Sequence, residues 1–168
     1  MLKGDFFRKT AASFLGLGYL PICPGTWASG GAAALAYVFG HYIPQPTGIL
    51  LLAAAFVGVL AAGHRLAEWA QKRFADSDPH VFVLDEVAGQ WLTYLLTLLV
   101  VVGWYGPFTR VAVCFVAFRF YDIFKPSPIG LIDRRHDAES IIMDDIAAGV
   151  LAAMAVVIIE VILFYFHA

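Results

Sequence analysis

Five apolar runs, at residues 28–43, 48–63, 87–105, 109–124 and 146–166, dominate this chain, and prolines, glycines or clustered charge punctuate them. Such runs constrain the fold more than any other feature. A segment nearly devoid of polar side chains must be hidden inside a protein or placed in a bilayer, where a helix satisfies its own backbone hydrogen bonds. Hydrophobic residues fill 61% of the 168 positions and mean hydropathy is +0.77, against roughly 45–50% apolar in soluble domains. Too little polar surface is left to cover a globule. The expected class is therefore all-α: a polytopic membrane helical bundle of about five apolar helices, forming one domain over residues 1–168. An amphipathic helix over residues 5–19 precedes them, with Phe6, Phe7, Phe14 and Leu15 toward lipid and Arg8 and Lys9 toward headgroups. Several runs fall short of the roughly 20 residues of a full span. A very apolar soluble bundle is thus the competing fold.

Charge narrows the setting. The net charge of −2 offers no basic field for nucleic acid. Cys23 and Cys114 lie far apart in apolar contexts and form neither a disulfide framework nor a metal motif. The charged start (Lys3, Asp5, Arg8, Lys9), followed by Pro21 and Pro24, does not read as a cleavable signal peptide. With the N-terminus in the cytoplasm and five spans, Lys3, Arg8, Lys9, Arg65, Lys72, Arg73, Lys125, Arg134 and Arg135 all fall on the cytoplasmic side. Only Arg110 falls outside, where it can pair with Glu160 of the last run. Trp104 and Tyr105 end the third run as an interfacial belt would. The same topology gathers the Thr26 loop, Asp85-Glu86, residues 122–125 and Asp144-Asp145 on one face.

Charged residues make up 14% of the chain, yet eleven of the thirty-one positions between 119 and 149 are Asp, Glu, Lys, Arg or His. Charge at the ends of apolar helices is costly unless it is paired or binds something. Asp85-Glu86-Val87-Ala88-Gly89 and Asp144-Asp145-Ile146-Ala147-Ala148-Gly149 resemble each other, two acids opening an apolar helix with a glycine four or five positions on. Acids in a first helical turn complement the helix dipole. Adjacent acids repel, however, and a hard cation such as Mg2+, which takes several oxygen ligands, relieves that repulsion. Arg119 and Asp122 share a helix face and can pair, while Lys125 lies at the helix end. Arginine suits the forked grip of phosphate oxygens. The bland alternative is an internal ion pair with a snorkelling lysine. Pro24-Gly25-Thr26 ahead of an apolar helix can offer backbone N–H groups and a hydroxyl to a phosphate, or serve as an ordinary cap. His80 is a possible acid–base group, and residues 133–137 form a charged loop beside the site.

This ordered set, Pro24-Gly25-Thr26, Asp85 to Gly89 with Trp91, Arg119 to Asp122 with Lys125-Pro126-Ser127-Pro128-Ile129, Asp133-Arg134, and Asp144 to Gly149, resembles the phosphatidylglycerophosphatase A family over about residues 14–160. The resemblance implies Mg2+-dependent hydrolysis of phosphatidylglycerophosphate to phosphatidylglycerol and phosphate. It implies a multi-pass protein of the bacterial inner membrane with its active site facing the cytoplasm. Carried onto this chain, Asp85, Glu86, Asp144 and Asp145 hold metal; Thr26, Arg119 and Lys125 bind the substrate phosphate; and Asp85, Asp122 and Asp145 are the catalytic carboxylates. Either a water activated by metal or a carboxylate serves as nucleophile. The sequence lacks Cys-x5-Arg, Asp-x-Asp-x-Thr, the histidine-phosphatase motifs, a Walker loop and the Asp-x2-Asp-Gly-x2-Ala-Arg run of lipid phosphotransferases. The readings from other classes are a small ion- or proton-coupled membrane transporter, against which the one-sided clustering of charge counts, and a non-catalytic membrane adaptor.

Overall fold

The computed structural model describes residues 3–99, 106–127, 129–135 and 137–167. Among them there are seven α-helices and no strand: α1 (Lys3–Ala12), α2 (Pro24–His41), α3 (Thr47–Phe74), α4 (Leu84–Thr97), α5 (Pro107–Phe124), α6 (Ile129–Asp133) and α7 (Ser140–His167). The all-α expectation holds. Two helices, α3 and α7, are long and apolar enough to cross a membrane. The most apolar window of α3 is only 11% buried, and that of α7 only 33%. A core helix of a soluble protein would be mostly hidden. Here Leu50, Leu51, Val57, Ile158, Ile159 and Ile162 point outward instead, as lipid-facing side chains do, which marks a membrane protein. Among the described residues α2, α4 and α5 do not reach the length and apolarity of α3 and α7. The fourteen residues of α4 reach only about 21 Å, and α5 carries Arg110, Arg119 and Asp122.

Several boundaries differ from the sequence expectation for local reasons. The amphipathic helix ends at Ala12 rather than continuing to residue 19. Phe14, Leu15 and Gly16 all have positive φ, and the turn brings Gly18 against the backbone carbonyl of Val81, where a side chain would collide. Helix α2 starts at Pro24, so Thr26 lies inside its first turn and Cys23 is the cap residue, with no capping side chain. Helix α3 runs through Arg65, Glu68, Lys72 and Arg73, helped by a Glu68–Lys72 pair at 2.5 Å one turn apart. Helix α7 starts at Ser140, whose N–H donates to Asp137 Oδ1 at 2.7 Å. Asp144 and Asp145 therefore sit in its second turn, not at its start. Trp104 and Tyr105 lie outside the described residues.

Helix α4 is the centre of the bundle and packs most extensively on α7, then on α3 and α2. The α4–α7 crossing is set by glycine. A Cβ on Gly149 would lie 2.7 Å from the Gly89 carbonyl oxygen, and one on Gly89 would lie 2.7 Å from the Asp145 carbonyl oxygen. Small residues allow such backbone contact between helices. Thr93 Oγ1 seals it by donating to the Gly89 carbonyl at 2.9 Å and approaching that of Gly149 at 3.2 Å. Helix α2 presents Ala28, Ser29, Ala32, Ala33 and Ala36, all buried, and Trp91 Nε1 on α4 donates to the Ala32 carbonyl at 2.8 Å. Arg110 and Glu160, paired as expected at 3.7 Å, are both buried. Glu160 lies fifteen residues beyond Asp145, about 22 Å along α7.

Candidate active site

Helices α2, α4 and α7 begin, and α5 and α6 end, around one cavity of about 560 Å³. Every candidate site residue named from the sequence lines it: Thr26, Asp85, Glu86, Arg119, Asp122, Lys125, Asp144 and Asp145. The glycine crossing explains why. In each helix the glycine stands four residues after an acid, Asp85 before Gly89 and Asp145 before Gly149. Backbone contact at the glycines therefore brings the two acidic turns side by side. Gly25 plays a related part on α2, because a side chain there would occupy the place of the Glu86 carboxylate.

One carboxylate oxygen from each of Asp85, Glu86 and Asp145 lies within 4.8 Å of the others. Asp85 and Asp145 are buried, and Glu86 Oε2 is buried with no hydrogen-bond partner among the described residues. Asp122 adjoins Asp145. Like charges gathered away from water are unstable unless a cation joins them or protons neutralise them. The donor set is all oxygen, compact and partly unpaired, so it fits a hard divalent cation. Asp144 stands apart from this trio. Its Oδ1 accepts the Asp145 N–H at 3.1 Å, and its Oδ2 pairs with Lys125 at 2.6 Å. Neighbouring helical residues point about 100° apart, so the two acids of α7 face different partners.

The cationic wall is equally organised. Arg119 Nη1 pairs with Asp122 Oδ2 and lies 3.5 Å from Ser29 Oγ. Lys125, in the left-handed region after the last turn of α5, donates to Asp133 Oδ1 at 2.5 Å and to Asp144. Burial opposes its charge, but the two carboxylates outweigh that and hold the ammonium above its ordinary value. Asp133, the second partner of Lys125, is not legible from spacing, since it lies eight residues on and across a short helix. Cys23, Asp78 and Ser140 also line the cavity, unanticipated: Cys23 caps α2, Asp78 lies in the loop before α4, and Ser140 opens α7. His80 lines it as an exposed residue. His136 lies outside the described residues.

The family model for phosphatidylglycerophosphatase A matches residues 10–160. Phosphatidylglycerophosphatase A of Escherichia coli (strain K12) is 34% identical over 139 residues, which are 82% of this chain and 74% of that protein. A protein of Bacteroides thetaiotaomicron, provisionally named a phosphatidylinositol-3-phosphatase, is 28% identical over 156 residues, 89% of this chain and 91% of its own length. No solved structure matches significantly. The acidic turns, the Arg119–Asp122 pair and Lys125 all fall within the matched span, and the chain belongs to the phosphatidylglycerophosphatase A family.

Proposed function

We propose that this protein hydrolyses phosphatidylglycerophosphate to phosphatidylglycerol and phosphate with Mg2+, at the cytoplasmic face of a bacterial inner membrane that its apolar helices cross several times. The observation that carries the reading is the carboxylate trio facing Arg119 and Lys125 across one cavity. The two named relatives point the same way, since both names describe removal of a phosphate from a lipid headgroup.

Asp85, Glu86 and Asp145 would hold Mg2+, which when bound offsets negative charge on the phosphoryl oxygens. Arg119, held by Asp122 until the phosphate enters, turns its guanidinium to those oxygens. The Thr26 hydroxyl and the uncapped N-terminus of α2 are further donors at the cavity wall. Lys125 bridges Asp144 and Asp133 and offsets one of their two charges, and it lines the cavity as a further cation for the phosphate. Asp122 takes a proton from the attacking water as the new P–O bond forms and the bond from phosphorus to the glycerol oxygen breaks, and that oxygen takes a proton from solvent to leave as the alcohol of phosphatidylglycerol. The lipid tails stay in the bilayer beside α3 and α7, while the headgroup enters the cavity.

Arg65, Lys72 and Arg73 on the last turns of α3, with Lys125, Arg134 and Arg135, stand at the cavity end of the helices, and Arg110 at the other. That asymmetry supports a cytoplasmic site. The test is phosphate release from phosphatidylglycerophosphate by detergent-purified protein, with Mg2+, with EDTA and in an Asp85→Asn variant. Release that needs Mg2+ and vanishes in the variant is expected. No release from folded protein with any divalent ion refutes the reading. Phosphatidylinositol 3-phosphate, run in parallel, reads the headgroup preference.

A further inference from the structure

Four buried polar atoms, one of them in the carboxylate trio, have no hydrogen-bond partner among the described residues: Glu86 Oε2, both amide atoms of Gln90, and Arg119 Nε. Gln90 is wholly buried, and an amide hidden with neither atom paired destabilises a fold. Its position explains what it is for. Gln90 lies one turn beyond Glu86 on α4, on nearly the same face. Helices α2 and α4 run parallel here: Gly25 meets Glu86, the Ala32 carbonyl meets Trp91, and Gly40 meets Tyr94. Ser29, one turn beyond Gly25, is thus level with Gln90, and Arg119 Nη1 reaches Ser29 Oγ. On the helical wheel Gln90 falls between Thr97, which contacts Cys114 of α5, and Tyr94, which contacts α2. It therefore faces the junction of α2 and α5, into which Arg119 extends.

The orphaned atoms are complementary. Glu86 Oε2 and Gln90 Oε1 are acceptors, and Gln90 Nε2 and Arg119 Nε are donors. We infer that Gln90 is a positioning residue that ties the two halves of the site together: once a lipid phosphate draws the guanidinium off Asp122, Nε2 donates to Glu86 and Oε1 accepts the Arg119 Nε–H. Gln90 touches no substrate atom. It fixes the plane of the arginine fork relative to the carboxylate that lies opposite, and a lysine at position 119, having no Nε–H at that place, cannot use it. The inference rests on the phosphatase reading above.

Gln90→Met keeps the length and volume and removes the amide. In EDTA the variant is expected to melt at or above the wild-type temperature, because an unpaired buried amide has gone. Its kcat/KM for phosphatidylglycerophosphate is expected to fall about tenfold to a hundredfold, the worth of a charge-assisted hydrogen bond. In an Arg119→Lys background the same substitution is expected to change kcat/KM by less than about threefold, since residues that act as a unit are non-additive. An unchanged kcat/KM in Gln90→Met, or an equal fall in the Arg119→Lys background, overturns the inference. So does a lower melting temperature in EDTA, which assigns Gln90 to packing. A wild-type protein inactive on every lipid phosphate refutes the phosphatase reading instead, and the melting comparison still decides whether the amide is unpaired.

Discussion

Replacing Gly149 by alanine tests whether the α4–α7 crossing sets the site. The new Cβ would lie 2.7 Å from the Gly89 carbonyl oxygen and 3.3 Å from both the Gly89 Cα and Thr93 Oγ1. An ordinary carbon–oxygen contact needs about 3.3 Å, so the helices must part by about 0.6 Å. Overpacking of this kind costs about 1–3 kcal/mol, and the better helix propensity of alanine returns about 1 kcal/mol. The net loss is about 0–2 kcal/mol, and the protein still folds. The site is far more sensitive. Asp145 is one turn from Gly149, and its distance to Asp85 and Glu86 changes with the separation of the helices. A misplacement of about 1 Å costs roughly a hundredfold in rate, so about 0.6 Å should cost about tenfold or more. Phosphate release titrated with Mg2+ reads this, next to a thermal melt of the same preparation. A higher half-activating Mg2+ concentration and a lower kcat are expected in Gly149→Ala. Gly58→Ala on α3, where a Cβ meets nothing, should leave both unchanged. Wild-type turnover and Mg2+ response in Gly149→Ala would refute the argument that glycine contact sets the carboxylate spacing.

Two further outcomes follow from the same geometry. Asp145→Asn, which removes a like charge from the buried trio, should raise the melting temperature in EDTA while abolishing Mg2+-dependent turnover; a lower melting temperature would mean that the acids hold the fold rather than a cation. Arg110→Met should destabilise the detergent-solubilised protein by about 3–5 kcal/mol because Glu160 is left buried beside it, and adding Glu160→Met should recover most of that; additive losses in denaturant unfolding would show the two residues to be uncoupled.

Much of the site was legible because charge in so apolar a chain needs a reason. Asp85, Glu86, Arg119, Asp122, Lys125 and Asp145 stood out on that ground and share the cavity. The division of labour within the α7 pair was not legible. Asp144 and Asp145 are equivalent as letters, and only the rotation of α7 against α5 turns Asp144 to Lys125. Helix ends misled for a related reason. Apolar runs report where lipid or core contact occurs, whereas hydrogen bonding continues through charged turns, as in α3 beyond residue 63 and at the start of α7. Gln90 gave no signal, because a single amide in an apolar run reads as neutral until its burial and lack of partners are known.

The meeting of three helix starts at the cavity has a kinetic consequence. Among the described residues seven carboxylates line it against two cationic side chains, Arg119 and Lys125. Helix N-termini carry roughly half a positive charge each, so α2, α4 and α7 together offset about 1.5 of that formal excess of five. The bare cavity is therefore a negative potential well that draws divalent ions from solution and turns phosphate dianions away. On the proposed reading this field would order loading: the divalent ion would have to enter before the lipid headgroup met an attractive surface, and a site that kept its ion after product release would be ready for the next lipid.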